Sequence, residues 1–202
     1  MFESLIFLPL DLPKLEFNRE TLLTWYDRNK TRGYEEYVKS IGYPWNVIWL
    51  RDLDKNLEWR DDLDQVFPNL QQVLAHLPHE TIRKMYVLEQ VIDVEPHRDV
   101  SREDDPELGP STYRAMLIND YSKTLYYLRG AETDPGESPL YPKFPEPGMW
   151  FVHNNFSSRH GAKMPPAEAR KLILCVWGRV DKQKHIELVG RSYTHYGNWG
   201  LV

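Results

Sequence analysis

The sequence predicts an α+β fold: a double-stranded β-helix of jelly-roll or cupin-like form with N-terminal supporting helices. Three observations carry this expectation. Helical periodicity is confined to the first part of the chain. A succession of short β-rich segments begins near Met85, and clusters of Gly, Pro, Asp and Glu separate those segments. Helices followed by a run of strands is an α+β order. Two stacked antiparallel sheets are an economical way for such strands to limit exposed edges. Residues 1–202 read as a single domain, with 1–84 as helical and strand support and 85–190 as the jelly-roll core.

The elements follow in order. Leu5, Phe7 and their apolar neighbours suggest a first strand. Residues 18 to about 29 look helical, with Asn18 as N-cap. Trp45 to Leu50 reads as a strand. Leu63, Phe67, Leu70, Leu74 and Leu77 recur at three or four residues, the spacing of one helix face, and Pro68 fits a first-turn position that restarts the helix. Then come MYVLEQVIDV, TYRAMLIN, KTLYYLRG, GMWFVHN, RKLILCVWGRV and KHIELVG, all read as strands. Between them lie DDPELGP, DPGESP, FPEPG and KMPPAE.

Composition narrows the function. Hydrophobic residues make up 41% and aromatic residues 13%, including 7 Trp and 12 Tyr, enough for a packed core and for β-structure or an aromatic cavity. The formal net charge is -5 and no Lys/Arg-rich run occurs, so a nucleic-acid partner is not expected. Cys175 is the single cysteine and lies in the apolar run KLILCVWG, which points to a buried thiol in a reducing compartment. The N-terminus lacks a basic start and a small-residue cleavage site, and no apolar run is long enough for a membrane span. A cytoplasmic protein is the expectation.

The segment Glu95-Pro96-His97-Arg98-Asp99 closes one of the β-rich stretches. In an extended chain residues i and i+2 point to one side, so His97 and Asp99 can aim at one point. Two imidazoles and a carboxylate on one face of a metal, with other positions open, suit Fe(II); Zn²⁺ takes similar ligands. A lone H-x-D is weak, and a histidine salt-bridged to a nearby acid explains it as well. His160, after the strand GMWFVHN and its polar turn, is the candidate third ligand. Arg170 opens the strand KLILCVWG and shares a face with Leu172 and Leu174. A guanidinium there suits a dicarboxylate, which it binds through two parallel hydrogen bonds, although a surface residue at a strand start looks the same. Arg114 alternates onto the face of Met116 and Ile118. It needs an anion among apolar neighbours, from a ligand or from an internal carboxylate such as Glu89 or Asp93.

The stretches PHRDV, YRAMLIND, GMWFVHNN, RH and EARKLILCV, in that order over about residues 90–180, resemble Fe(II)/2-oxoglutarate-dependent oxygenases. The likeness is to the aspartyl/asparaginyl β-hydroxylase group that includes the cis-proline hydroxylases. The resemblance implies one oxygenase domain using Fe(II), 2-oxoglutarate and O₂. His97, Asp99 and His160 would hold iron, Arg170 would bind the distal carboxylate of 2-oxoglutarate, and Arg114 would help position that cosubstrate. It further implies hydroxylation of a C–H bond in an amino acid or a peptidyl side chain, with release of succinate and CO₂. The presence of Asp99 favours hydroxylation over halogenation. Two departures stand out. Met116 occupies the place of a histidine that the group often carries on its middle strand, and the acidic loop SREDDPELGP lengthens the gap between His97 and Arg114. That loop reads as a substrate lid or as a solvated connection.

Arg102, Tyr113, Arg129, Trp150 and Asn155 are candidate contacts for a small-molecule or peptide substrate. His153 is a rival ligand, with Lys163 ten residues on, but Lys163 lies in a turn ahead of Pro165 and Pro166. His76 and His79 read as residues at a helix end, and His185 and His195 as surface residues. Val176 stands where nucleic-acid repair oxygenases usually carry a second Arg. A cupin-like metal-binding module and a Zn²⁺-dependent isomerase are the readings without oxygenase chemistry.

Overall fold

The computed structural model describes residues 7–32, 46–98, 112–128, 138–143, 146–153 and 159–197. Short β1 (Phe7–Pro9) leads into α1 (Arg19–Asn29) and the two-residue β2 (Thr31–Arg32). Asn18 caps α1 as its spacing predicts: its side-chain oxygen accepts from Thr21 N at 3.0 Å. β3 (Asn46–Asp52) follows, and then the predicted helix over 63–77, which is in fact two short pieces, α2 (Leu63–Val66) and α3 (Leu70–Leu74). Pro68 is the cause. It lacks an N–H, and its ring drives the preceding residue out of the helical region, leaving Phe67 at φ -129, ψ 77.

From β4 (His79–Glu89) onward the chain is mostly strand: β5 (Val94–His97), β6 (Thr112–Asn119), β7 (Leu125–Leu128), β8 (Trp150–His153), β9 (Arg159–Ala162) and β10 (Lys171–Val180). The closing element corrects an expectation. KHIELVG is not a strand but part of α4 (Lys182–Tyr196). Asp181 caps that helix, accepting from Gln183 N at 2.9 Å and Lys184 N at 3.1 Å, and the buried residues His185, Leu188, Val189 and Ser192 follow helical spacing.

The strands form a seven-stranded sheet in the order β1-β8-β6-β10-β4-β3-β2 and a three-stranded sheet in the order β5-β9-β7, antiparallel throughout their described pairings. The two sheets do not close into a barrel, and the arrangement is a jelly-roll, cupin-like one. The large sheet is covered on both faces. On one side Leu172, Leu174 and Val176 of β10 pack with Tyr113, Trp150 and the apolar residues of the four helices. On the other, Ile173 and Cys175 pack with Phe7, Met116, Phe151 and with Leu125 and Tyr127 of the small sheet. A strand buried on two faces is apolar at successive positions, which explains the unbroken run LILCVW. An irregularity in the β6–β10 register moves Ile118 to the helix side, off the face of Arg114 and Met116 where alternation alone had put it. No helix among the described residues is long and apolar enough to cross a membrane.

Two histidines read as peripheral are structural. His79 opens β4 and does not end a helix, and His185 is buried on α4. The Tyr113 hydroxyl and His185 Nδ1 are hydrogen-bonded, and the His79 ring meets Tyr113 edge-on at 5.0 Å. Burial, and secondarily the nearby His185, pushes His79 from its ordinary 6.5 down to about 4. Between those pH values the unfolded chain takes up a proton that the folded chain refuses, so stability falls as pH falls through that window. Urea midpoints measured at pH 7 and pH 4.5 should therefore differ less in His79→Gln than in the wild type.

Candidate metal centre and cosubstrate chamber

The small sheet brings two of the three predicted ligands, His97 and His160, side by side. His97 on β5 is the register partner of His160 on β9, and His160 is the partner of Tyr127 on β7. Cross-strand partners share a face, so the three side chains form one row. Ring centroids lie 4.5 Å apart for His97 and His160, and 6.4 Å for His160 and Tyr127. Tyr127 is fully buried in the cluster between the sheets, which fixes the row as facing inward. His160 is buried, and His97 lies at the exposed rim. His97 Nδ1 donates to the Glu95 carbonyl at 2.8 Å. A carbonyl only accepts, so Nδ1 carries the proton of the neutral ring and Nε2 carries the lone pair, the tautomer of a metal-binding histidine oriented by its backbone.

Strand β9 is itself an addition to the expected plan, which had assigned no strand to residues 159–162. Gly161 makes it possible. A Cβ there would come within 2.5 Å of the Tyr126 hydroxyl oxygen and 2.7 Å of the Val94 carbonyl oxygen. Only glycine lets β5, β9 and β7 approach this closely beside His160.

Asp99 lies outside the described residues, as do Arg102, Arg129 and Asn155. Among the described residues no group of three or more His, Cys, Asp or Glu is placed to hold a metal. His153 ends β8, with Phe7 and Thr112 as register partners. Its companion Lys163 is a surface residue paired with Asp93 at 3.1 Å.

The two predicted aromatic contacts, Tyr113 and Trp150, belong to the helix-side core, and neither reaches the space between the sheets. Arg170 is also on the helix side. Its Nε donates to Glu89 at 2.6 Å, and its two terminal nitrogens clamp Asp27 of α1 at 3.0 Å each, over the Tyr26 ring at 5.7 Å. These carboxylates hold the Arg170 guanidinium above its ordinary range against the opposing effect of burial. The guanidinium that the sequence assigned to a dicarboxylate ligand is instead the anchor of α1.

Lys171, the next residue, is the one the sequence reading missed. It pairs in register with Asn119, on the β10 face that carries Ile173 and Cys175 toward the small sheet. Its side chain is buried, at 1% exposure. Burial, reinforced by the Arg114 charge, pushes its ammonium down to about 7. Arg114 shares that inner face as register partner of Cys175 and of Phe151. The space between the sheets thus holds two histidines on one wall and two cations on the other.

No protein-family model matches the sequence, and no curated protein matches it. Among solved structures, the chain is similar to the non-heme alpha ketoglutarate dependent epimerase SnoN from nogalamycin biosynthesis. The TM-score is 0.50 at 13% identity, over 88% of this chain and 80% of that one. HygX from Streptomyces hygroscopicus, solved with nickel, 2-oxoglutarate and hygromycin B bound, gives 0.49 at 14% identity over 88% and 84%. A Pseudomonas putida prolyl-4-hydroxylase gives 0.43 at 15% over 89% and 95%. The likeness to SnoN establishes the fold: this chain has the fold of a non-haem, α-ketoglutarate-dependent enzyme.

Two outcomes follow from the geometry. Gly161→Ala should lower stability by about 1–3 kcal/mol, the usual consequence of overpacking, read from denaturant midpoints. Arg170→Ala strands the buried Glu89 carboxylate and should cost about 3 kcal/mol, seen in a thermal melt as a drop of roughly 6–12 °C at ~2–4 °C per kcal/mol.

Proposed function

We propose that the chain is a non-haem Fe(II)/2-oxoglutarate-dependent oxygenase that hydroxylates a C–H bond of an amino acid or of a peptidyl side chain. The observation that carries this reading is the inward row of His97 and His160 facing a buried lysine across the sheets. The donor set fits iron: two imidazoles side by side, one with its tautomer set by a backbone carbonyl, and a carboxylate two residues from His97 in sequence. His97, Asp99 and His160 would hold the metal. When bound, Fe(II) with 2-oxoglutarate and O₂ supplies an oxidant able to attack an unactivated C–H bond.

The chain's own groups do the rest. Lys171 replaces Arg170 as the anchor of the distal carboxylate. A buried ammonium gains from a carboxylate partner, and the partner in turn restores the lysine's charge against burial. Phe7, Met116, Phe151, Ile173 and Cys175 line the chamber with hydrocarbon and keep water from the reacting centre. A single domain over 1–202 in a cytoplasmic setting, with no nucleic-acid partner, belongs to the same proposal. A metal-binding module or a Zn²⁺-dependent isomerase would share the ligands but would not consume 2-oxoglutarate.

The test is anaerobic. Adding Fe(II) and then 2-oxoglutarate should produce the visible charge-transfer band of the chelate. In Lys171→Ala the band should weaken at least tenfold in apparent 2-oxoglutarate affinity while iron binding persists; in Arg170→Ala the affinity should stay within a few-fold of wild type. A wild-type protein that binds Fe(II) yet gives no band and releases no succinate in air would refute the oxygenase reading.

A further inference from the structure

Four residues of β10 alternate onto its inner face: Lys171, Ile173, Cys175 and Trp177. Lys171 and Trp177 stand at opposite ends of this row, about 20 Å apart at roughly 3.3 Å per residue. A five-carbon keto diacid is roughly 6 Å long at about 1.5 Å per C–C bond. Held at Lys171, it is too short to span the strand, even with the length of the lysine side chain added. The Trp177 end of β10 is therefore outside the reach of the cosubstrate.

That end is aromatic. Tyr86 is the register partner of Cys175 and of Trp49, and cross-strand partners share a face. Tyr86 and Trp177 both pack against the apolar cluster between the sheets, the cluster that holds Tyr127 beside His160. The Trp49 and Tyr86 rings lie 4.8 Å apart, and Trp177 Nε1 donates to the Tyr86 hydroxyl at 3.0 Å. All three rings are half-buried, whereas Ile173 and Cys175 are buried. Lys84, the register partner of Trp177, carries its ammonium to Asp54 at 2.8 Å. Rings on three adjacent strands, each about 4.8 Å from the next, make a strip roughly 10 Å wide.

We propose that Trp49, Tyr86 and Trp177 form the substrate wall of the chamber, and that they select a peptide segment with large apolar side chains at positions i and i+2. In an extended peptide those two side chains point the same way and stand about 7 Å apart. Both fit within the strip, and one alone leaves part of it uncovered. The aromatic faces take up hydrocarbon and other rings, and their negative faces repel a carboxylate. An aspartyl or asparaginyl side chain is a poor match for this wall. The inference rests on the oxygenase reading, which makes Lys171 the anchor of the cosubstrate.

The experiment uses the Fe(II)- and 2-oxoglutarate-loaded protein without oxygen, with affinities read by calorimetry. The probes are N-acetylated, C-amidated tripeptides with alanine in the middle. Three carry leucine, phenylalanine or cyclohexylalanine at both ends, and three carry serine, asparagine or aspartate there. At least one apolar tripeptide should bind about 10- to 100-fold more tightly than every polar one, the range for burying a large apolar side chain. It should also bind about tenfold more tightly than the blocked amide of its single end residue. Trp177→Ala should erase the apolar preference while leaving the charge-transfer band unchanged, and Trp177→Phe should retain part of it. Equal affinity for apolar and polar tripeptides, for tripeptide and single residue, or no binding of any of the six, overturns the proposal. So does an unchanged preference in Trp177→Ala, and so does loss of the band in that variant with a native circular dichroism spectrum, which would place Trp177 at the cosubstrate. If Trp177→Ala fails to fold, the wild-type comparison of apolar with polar tripeptides still decides. Absence of the band in the wild type sinks the oxygenase reading instead, and the apolar preference stands as a separate result.

Discussion

The pairing of β5 with β9 and of β9 with β7 in one register is the constraint on which the site depends. It brings His97 beside His160 although the two are far apart in sequence, and turns both toward the same interior as Tyr127. A slip of one residue in β9 would send His160 to the outer face and bring Gly161 inward. The register is held from both faces. Inside, Tyr127 and Leu125 are locked into the apolar cluster. Outside, the missing side chain at 161 lets Tyr126 and the Val94 carbonyl close over the strand. The placement of the two histidines is thus a property of sheet packing, and the same contacts that stabilise the small sheet aim them inward.

The large sheet supplies the complementary wall, and its construction explains why neighbouring cations have unrelated roles. β10 is buried on both faces, so Arg170 and Lys171 emerge on opposite sides of a strand that has no solvent side. On the helix side Arg170 meets two carboxylates, and its ion pairs bind α1 to the start of β10. On the chamber side Lys171 is buried close enough to Arg114 for their charges to oppose each other. The helices, remote from the chamber, matter to it because they cover the outer face of the strand from which Lys171 projects.

Much of this plan was legible in the sequence. Alternation and turn residues located most of the strands, Asn18 marked the start of α1, and the H-x-D motif and the distal His pointed to the two histidines that meet. Three features were hidden for physical reasons. KHIELVG has the β-branched and apolar content of a strand, and only the cap at Asp181 and the spacing out to Ser192 reveal a helix. Arg170 and Lys171 are equally plausible inward cations, because alternation in KLILCVW places apolar residues on both faces and cannot say which faces the chamber. Tyr113 and Trp150 are aromatic residues near the ligand motif in strand order, yet each lies on the helix-side set of its strand, a distinction that depends on which face the small sheet covers.

The separation of the two inner-face cations follows from the same topology. In a sandwich whose strands share one end, distance along the axis can be counted in residues from the connections, and the counting separates groups that burial alone would merge. Lys171 and Arg114 are both cations on the inner face of adjacent strands, and composition treats them alike. Register separates them by four residues along β10, with Lys171 opposite Asn119 and Arg114 opposite Cys175. Their surroundings differ as well: Lys171 is fully buried, whereas Arg114 is half-buried beside its fully buried register partners Phe151 and Cys175. Two cations of different burial on one inner face, opposite a pair of histidines, are therefore not equivalent, and the register is what tells them apart.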